Sequence, residues 1–208
     1  MHRPLRLAFC VSIAVVFVSA SSVGAWTQLR NAYPNAPTSC DGSASYPCIE
    51  WPVGSGGASV TRYVYLSPTL GDANVNLATD MRNGMSAFNA VPARNPFYVE
   101  YVSGSWQVTV QRASTSRSDA WAESYTYANA SNVMTSATIK FNPLVTWNRS
   151  YNYGPYVADS RKVAAHEIGH TQALGHTGFT CLMDQGAVGV STPQTNDVQG
   201  LQAIYGAA

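Results

Sequence analysis

The chain has 208 residues, 46% of them apolar, and a formal net charge of +1. This length suits one domain with a full hydrophobic core. Few charges and no basic block argue against nucleic acid or an anionic membrane as the main partner. We also expect a monomer.

The first 25 residues are predicted to be a secretory signal peptide. Arg3 and Arg6 precede an apolar run over residues 7–18, and small residues lead to a cleavage site after Ala25. The run is shorter than the roughly 20 residues that span a bilayer, which argues against the alternative of an uncleaved membrane anchor. We therefore predict a secreted, soluble protein.

Residues 26–57 are rich in proline, glycine, serine and asparagine. They predict an irregular extension, or a short pro-segment, ahead of a domain at residues 58–208. Three cysteines remain after the signal is removed, an odd number for an oxidising compartment. Cys40 and Cys48 flank a turn-rich loop, so we favour a disulfide between them. The alternative joins one of them to Cys181.

Strand and helix patterns follow one another along residues 60–141. Residues 60–66 alternate in polarity and are predicted to form a strand. An amphipathic helix follows, with apolar residues every three or four positions up to Phe88 and with Asp72 or Asn74 as its N-cap. Further strands are predicted over residues 97–102, 106–111, 122–128 and 133–141.

Two more helices are predicted in the last third of the chain. Asp159 or Ser160 would cap the first of them, whose early residues Arg161 and Lys162 are expected to face solvent. Asp197 would cap the second, near the end of the sequence.

The first of these two helices carries a metal-binding motif. His166, Glu167 and His170 form the pattern H-E-x-x-H, and positions i and i+4 share one helix face, so the two imidazoles can bind one ion. His176 supplies a third imidazole, which completes a three-nitrogen zinc site with one coordination position open for water. Three of the four histidines of the chain lie in this stretch, which disfavours an ordinary helix with surface histidines.

Such a site predicts metal-assisted hydrolysis of an amide. Three neutral imidazoles leave zinc its positive charge, and the pKa of a water bound in such sites falls to about 7. Glu167 would take a proton from the attacking water as general base and pass it to the leaving amine.

The motif resembles the metzincin zinc signature H-E-x-x-H-x-x-G-x-x-H, most closely that of the matrixins, the family of the matrix metalloproteinases. Met183 lies where this family has its Met-turn, and residues 137–142 and 196–206 resemble the strand before its active-site helix and its closing helix. The resemblance implies an α+β, zincin-like catalytic domain with a twisted, mostly parallel sheet, an active-site helix and a C-terminal helix. It also implies a secreted zinc metalloendopeptidase, a hydrolase acting on a peptide or protein substrate.

The resemblance assigns roles to further residues. Met183 would form a structural floor beneath the imidazoles without binding zinc. The matrixin strand that corresponds to residues 122–128 lies at a sheet edge, where a peptide adds as an extra strand. By this analogy, substrate-binding backbone groups belong to Ser124, Tyr125, Thr126 and Tyr127. The alternative is an ordinary interior strand.

One position departs from the family pattern. Ala173 replaces the family glycine after the second ligand, and a left-handed conformation costs a non-glycine residue about 1–2 kcal/mol. Either Ala173 bears that strain, or the helix continues and Gly175 makes the turn toward His176.

We therefore expect one catalytic zinc ion. No histidine is spare for a second, structural zinc, and calcium is a further candidate at Asp72, Asp119 or Asp159. Two other functions stay open. One is a binding or adhesion module that keeps the zinc fold with little activity, against which the presence of Glu167 counts; the other is a zinc hydrolase acting on a non-protein amide.

Overall fold

The computed structural model describes residues 27–28, 48–178 and 180–208. Within them the chain is α+β, with a five-stranded sheet, two small two-stranded sheets and three α-helices. The strands are β1 Thr27–Gln28, β2 Thr61–Leu66, β3 Phe97–Glu100, β4 Val108–Arg112, β5 Ala122–Ala128, β6 Met134–Phe141, β7 Thr146–Asn148, β8 Val157–Asp159 and β9 Leu174–Gly175. The helices are α1 Leu77–Asn89, α2 Ser160–Thr171 and α3 Thr195–Tyr205.

The five-stranded sheet has the order β3-β2-β4-β6-β5. β2 runs parallel to β3 and β4, and β4 runs parallel to β6, whereas β5 runs antiparallel to β6. The prediction of a mostly parallel sheet is therefore confirmed. β5 lies at one edge of this sheet in the described part of the chain, so the alternative of an interior strand is wrong.

Alternation along the strands separates a buried face of the sheet from an open one. In β6, Ala137, Ile139 and Phe141 are buried, while Thr138 and Lys140 between them are half-buried and lie on the other face. Each predicted strand of the sheet is present, with ends that differ from the prediction by up to two residues.

Helix α1 packs closely on α2. Its apolar stripe of Met81, Met85 and Phe88 is buried. Gly84 lies on the same side, where an added Cβ would meet the Cα of Ala165 at 3.2 Å. The absence of a side chain at Gly84 therefore permits the two helices to approach each other.

The N-cap of α1 differs from the prediction. Asn76 is the cap, and its Oδ1 accepts a hydrogen bond from the N–H of Thr79 at 2.9 Å. Asp72 instead ends a separate 3-10 helix. The side chain of Asn74 pairs with the backbone of Trp147, donating to its carbonyl at 2.6 Å and accepting from its N–H at 3.0 Å. Asp72 and Asn74 were therefore wrong as caps.

One of the two later caps is confirmed. Asp159 caps α2, since its Oδ1 accepts from the N–H groups of Arg161 at 3.0 Å and Lys162 at 3.3 Å. Helix α3 instead has Gln194 as its N-cap, and Asp197 is the third helical residue, accepting from the N–H of Gln194 at 2.7 Å. The prediction of Asp197 as N-cap is wrong, because this acid has the reciprocal position of a capping box.

Described residues that precede position 58 pack on the same domain. Ile49 and Trp51 belong to the buried core, and β1 pairs antiparallel with β9, with Thr27 opposite Gly175.

The predicted signal peptide lies outside the described residues. Among the helices that are described, none combines the length and the apolar character needed to cross a membrane.

The cysteines exclude one of the two disulfide alternatives. Cys181 is a buried free thiol, so a bridge from Cys40 or Cys48 to Cys181 is wrong. Cys48 is disulfide-bonded, and Cys40 lies outside the described residues, so the pairing of these two stays a prediction.

Candidate metal centre

Three imidazoles converge at the end of α2. This helix carries His166 and His170, and β9 leads directly to His176. One ring nitrogen of each lies within 4.8 Å of the other two, and the Nε2 atoms of His170 and His176 are 3.0 Å apart. Nitrogen ligands of a tetrahedral zinc, each 2.0–2.1 Å from the ion, lie about 3.3 Å from one another. The three residues therefore fit a three-nitrogen metal site.

The remaining ring nitrogens of two ligands are held by backbone carbonyls. Nδ1 of His166 lies 2.8 Å from the carbonyl oxygen of Leu182, and Nδ1 of His170 lies 2.8 Å from that of Leu174. A carbonyl oxygen can only accept a hydrogen bond, so the Nδ1 atom that faces it must carry the hydrogen. Nδ1 is therefore the donor in each ring. This tautomer leaves the lone pair of Nε2 available to a metal.

Burial keeps these imidazoles neutral. It lowers the pKa of His170 to about 4 and that of His176 to about 3, and it lowers the pKa of His166 well below its usual value. Neutral imidazole is the form that binds a metal ion, so no proton needs to be displaced at neutral pH.

The turn between the second and third histidines resolves the two alternatives left by the sequence. Ala173 has φ of 68° and is fully buried, so it bears the left-handed conformation. Gly175 lies in β9, and its φ is not positive, so the alternative turn at Gly175 is wrong. The strain of about 1–2 kcal/mol is the cost of bringing His176 back to the helix.

The C-terminal end of α2 is held by aromatic side chains from distant parts of the chain. Trp51 donates its Nε1–H to the carbonyl of Thr171 at 2.6 Å, and Tyr98 donates its hydroxyl to the same carbonyl at 2.7 Å. The hydroxyl of Tyr205 donates to the carbonyl of Gln172 at 3.3 Å. These bonds satisfy carbonyls that have no partner within the helix. Sequence patterns gave no signal for these contacts.

Met183 lies against the turn of α2 that carries His170. It is buried, and a Cβ added at Gly169 would overlap its Sδ and approach Cζ of Phe88 to 3.3 Å. The role of Met183 as a floor beneath a metal centre stays a prediction.

Asp197 connects the turn at Leu182 and Met183 to α3. Its carboxylate is buried and accepts from the N–H groups of Leu182 at 3.0 Å and Met183 at 3.2 Å. The carbonyl of Leu182 holds the ring of His166, and the N–H of the same residue is held by Asp197. Asp197 therefore influences the orientation of His166 through Leu182. Its role in the site was missed because it was interpreted as a helix cap alone.

Lys162 is buried beside the metal centre. Only 2% of it is exposed, and its Nζ donates to the carbonyl of Asp184 at 2.8 Å and lies 3.4 Å from Nδ1 of His166. Burial lowers the pKa of this ammonium to about 8. The prediction that Lys162 faces solvent is wrong. Its spacing of four residues from His166 puts it on the same helix face, which was the available signal.

Glu167 is a buried carboxylate with a hydroxyl partner. It is 5% exposed, and its Oε2 accepts from the Oγ of Ser124 at 2.6 Å. Burial raises the pKa of Glu167 to about 7, although the Ser124 bond and the charge of Lys162 oppose the rise. Glu167, which follows His166, therefore has a carboxyl group that can hold or release a proton near neutral pH.

The four predicted substrate-binding residues of β5 divide between the two sheet faces. The side chain of Ser124 reaches α2, whereas the hydroxyl of Tyr125 donates to the carboxylate of Glu123 on the opposite face. Tyr127 is 53% exposed, and Thr126 is half-buried. The structure therefore brings only the side chain of Ser124 to the site. Peptide binding by the backbone of β5 stays a prediction.

Calcium at the three candidate acids also stays a prediction. Asp159 is paired with Arg161 at 2.7 Å and Asp119 with Arg117 at 2.8 Å. Among the histidine, cysteine, aspartate and glutamate side chains of residues 48–178 and 180–208, the three imidazoles form the one group of three or more that is close enough to share an ion.

Comparison with known proteins gives no match, either to a protein-family model or to a curated protein. The functional interpretation of this centre therefore depends on its residues and their geometry.

Proposed function

We propose that this protein is a secreted, zinc-dependent endopeptidase of the metzincin type, most similar to the matrixins. The observation that carries the proposal is the convergence of His166, His170 and His176 beside the buried carboxylate of Glu167. The α+β fold with its mostly parallel sheet is compatible with a metzincin, although it is not specific to that family.

The residues of the chain divide the chemistry between binding and proton transfer. His166, His170 and His176 would hold zinc, which supplies a Lewis acid that acidifies water and polarises the scissile carbonyl. Glu167 accepts the proton of the attacking water at its carboxylate and passes it to the leaving amine.

The substrate is a peptide segment in extended form. β5 is an edge strand, and an edge strand presents a row of backbone N–H and C=O groups that are not paired within the sheet. A peptide that adds along Ser124, Tyr125, Thr126 and Tyr127 would lie next to α2, because Ser124 contacts Glu167. We propose no nucleic acid or membrane partner and a monomeric enzyme.

The test is cleavage of an unfolded protein by the purified protein, with Glu167→Gln and Glu100→Gln alongside. Glu100 undergoes the same change at a surface pair with Arg82, outside the metal centre. We expect the parent and Glu100→Gln to cleave the substrate and Glu167→Gln to lose about 10²–10⁴-fold in kcat. All three should bind one zinc ion per chain, measured by elemental analysis.

Other outcomes separate the alternatives. Equal activity in the parent and Glu167→Gln contradicts the proposed mechanism. Inert proteins that all bind zinc favour the binding or adhesion module. Hydrolysis of small amides without cleavage of any peptide bond favours the zinc hydrolase that acts on a non-protein amide.

A further inference from the structure

Edge strand β5 packs beside the active-site helix, and the hydroxyl of Ser124 forms a hydrogen bond between them. Glu123 and Tyr125 direct their side chains to the outer face of the sheet, and Ser124 between them directs its side chain to α2. Ser124 is half-buried, and within the described part of the chain its Oγ lies at hydrogen-bonding distance from Oε2 and the backbone carbonyl of Glu167.

The distances identify the bond that the hydroxyl makes. A serine hydroxyl has one hydrogen to donate, and Oε2 of Glu167 at 2.6 Å is closer than the carbonyl at 3.2 Å. A distance of 2.6 Å is typical of a hydroxyl that donates to an ionised carboxylate. The bond restrains the carboxylate and engages Oε2, so Oε1 is the oxygen left to receive a proton.

The residues on either side of Ser124 are anchored independently of the site. The carboxylate of Glu123 accepts from the N–H and the Oγ of Ser116 at 2.6 and 2.8 Å. The ring of Tyr125 lies beneath Nζ of Lys140, 4.8 Å from its centroid. These contacts lie on the face of the sheet opposite to Glu167.

We propose that Ser124 is the positioning residue of the general base and that it couples the substrate-binding strand to the catalytic carboxylate. The inference rests on the proposed function. A peptide paired along the edge of β5 restrains the backbone at Ser124, and the hydroxyl transmits this restraint to the orientation of Glu167. Substrate binding and alignment of the base are then parts of one event.

The kinetic test compares Ser124→Ala and Ser124→Thr with Ser116→Ala. Ser116→Ala also removes a serine hydroxyl that donates to a carboxylate, but this carboxylate is that of Glu123 on the outer face of the sheet. We expect Ser124→Ala to lower kcat by about 10- to 100-fold, the range for a hydrogen bond to a charged group, with KM and zinc content little changed. Ser124→Thr keeps the hydroxyl and should restore most of kcat, and Ser116→Ala should match the parent.

A second measurement does not depend on activity. The chain has four glutamates, so carbon-13 labelling of their side-chain carboxyls gives four resonances, and Glu167→Gln identifies that of Glu167. In the metal-free protein, Ser124→Ala should shift the Glu167 resonance and leave that of Glu123 in place. Ser116→Ala should do the reverse.

The outcomes distinguish failure of this inference from failure of the proposed function. An active parent with unchanged kcat in Ser124→Ala overturns the positioning role, and so does an unshifted Glu167 resonance. A kcat loss that Ser124→Thr shares in full also overturns it, because the hydroxyl would not be the cause. A parent that hydrolyses no peptide overturns the proposed function, and the positioning role with it, even where the resonance shifts.

Discussion

Replacing Asp197 should weaken both the fold and the metal centre. Its carboxylate is 1% exposed and accepts three backbone N–H groups, those of Leu182, Met183 and Gln194. Leu182 and Met183 are buried, so water cannot replace Asp197 as the acceptor of their N–H groups. Gln194 is half-buried, so water can accept from its N–H group. Asp197→Ala therefore leaves two buried donors without an acceptor.

The magnitude follows from these two donors. Each buried donor left unsatisfied costs about 1–3 kcal/mol, so we expect Asp197→Ala to lower the free energy of unfolding by about 2–6 kcal/mol. Asp197→Asn keeps one oxygen that can accept two of the three bonds, so its cost should be about 1–3 kcal/mol. Because Leu182 orients His166, zinc affinity should also fall by about 10- to 100-fold in the alanine variant.

Urea unfolding of the metal-free protein, followed by tryptophan fluorescence, measures the first effect, and competition with a zinc chelator measures the second. Asp119→Ala is the matched control, since this acid is exposed and paired with Arg117 alone at the surface; it should change neither quantity. An Asp197→Ala protein that stays within about 1 kcal/mol of the parent would refute the reasoning, because the donors would have other partners.

Three further variants test the support around the centre. Trp51→Phe removes the indole donor to Thr171 and should cost about 1–2 kcal/mol in urea unfolding. Gly169→Ala introduces a methyl group into Met183 and should cost about 1–3 kcal/mol and weaken zinc binding in chelator competition. Asp159→Ala removes the cap of α2 and should cost about 2 kcal/mol at neutral pH. Burial raises the pKa of Asp159, but hydrogen bonds from Arg161 and the backbone lower it further, so the net shift is downward. The stabilisation of the fold by Asp159 is therefore complete above the unfolded pKa of about 3.9. It should disappear when unfolding is measured at progressively lower pH.

The sequence predicted what depends on local geometry. The i and i+4 spacing of His166 and His170 fixes their common face, and the short connection to His176 limits where the third imidazole can lie. Alternation likewise located every strand of the main sheet to within two residues. These patterns repeat over a few residues, so they can be recognised without knowledge of the tertiary structure.

The missed features depend on contacts between distant residues. Ser124 and Glu167 are 43 positions apart, and Trp51 and Thr171 are 120 apart. Lysine is seldom buried, yet the carbonyl of Asp184 accepts a hydrogen bond from the buried ammonium of Lys162. No periodic pattern encodes such pairs, since each depends on how separate elements pack.

The support of the metal ligands links the centre to the whole domain. His166 depends on the carbonyl of Leu182, whose N–H is held by Asp197 of α3, and His170 depends on the carbonyl of Leu174 in β9. The helix that carries both histidines is in turn held at its C-terminal end by Trp51 and side chains from β3 and α3. The ligands can therefore adopt their shared geometry only when these elements are packed. Binding of an ion there would contribute to the free energy of folding and, together with packing, would offset the left-handed strain at Ala173.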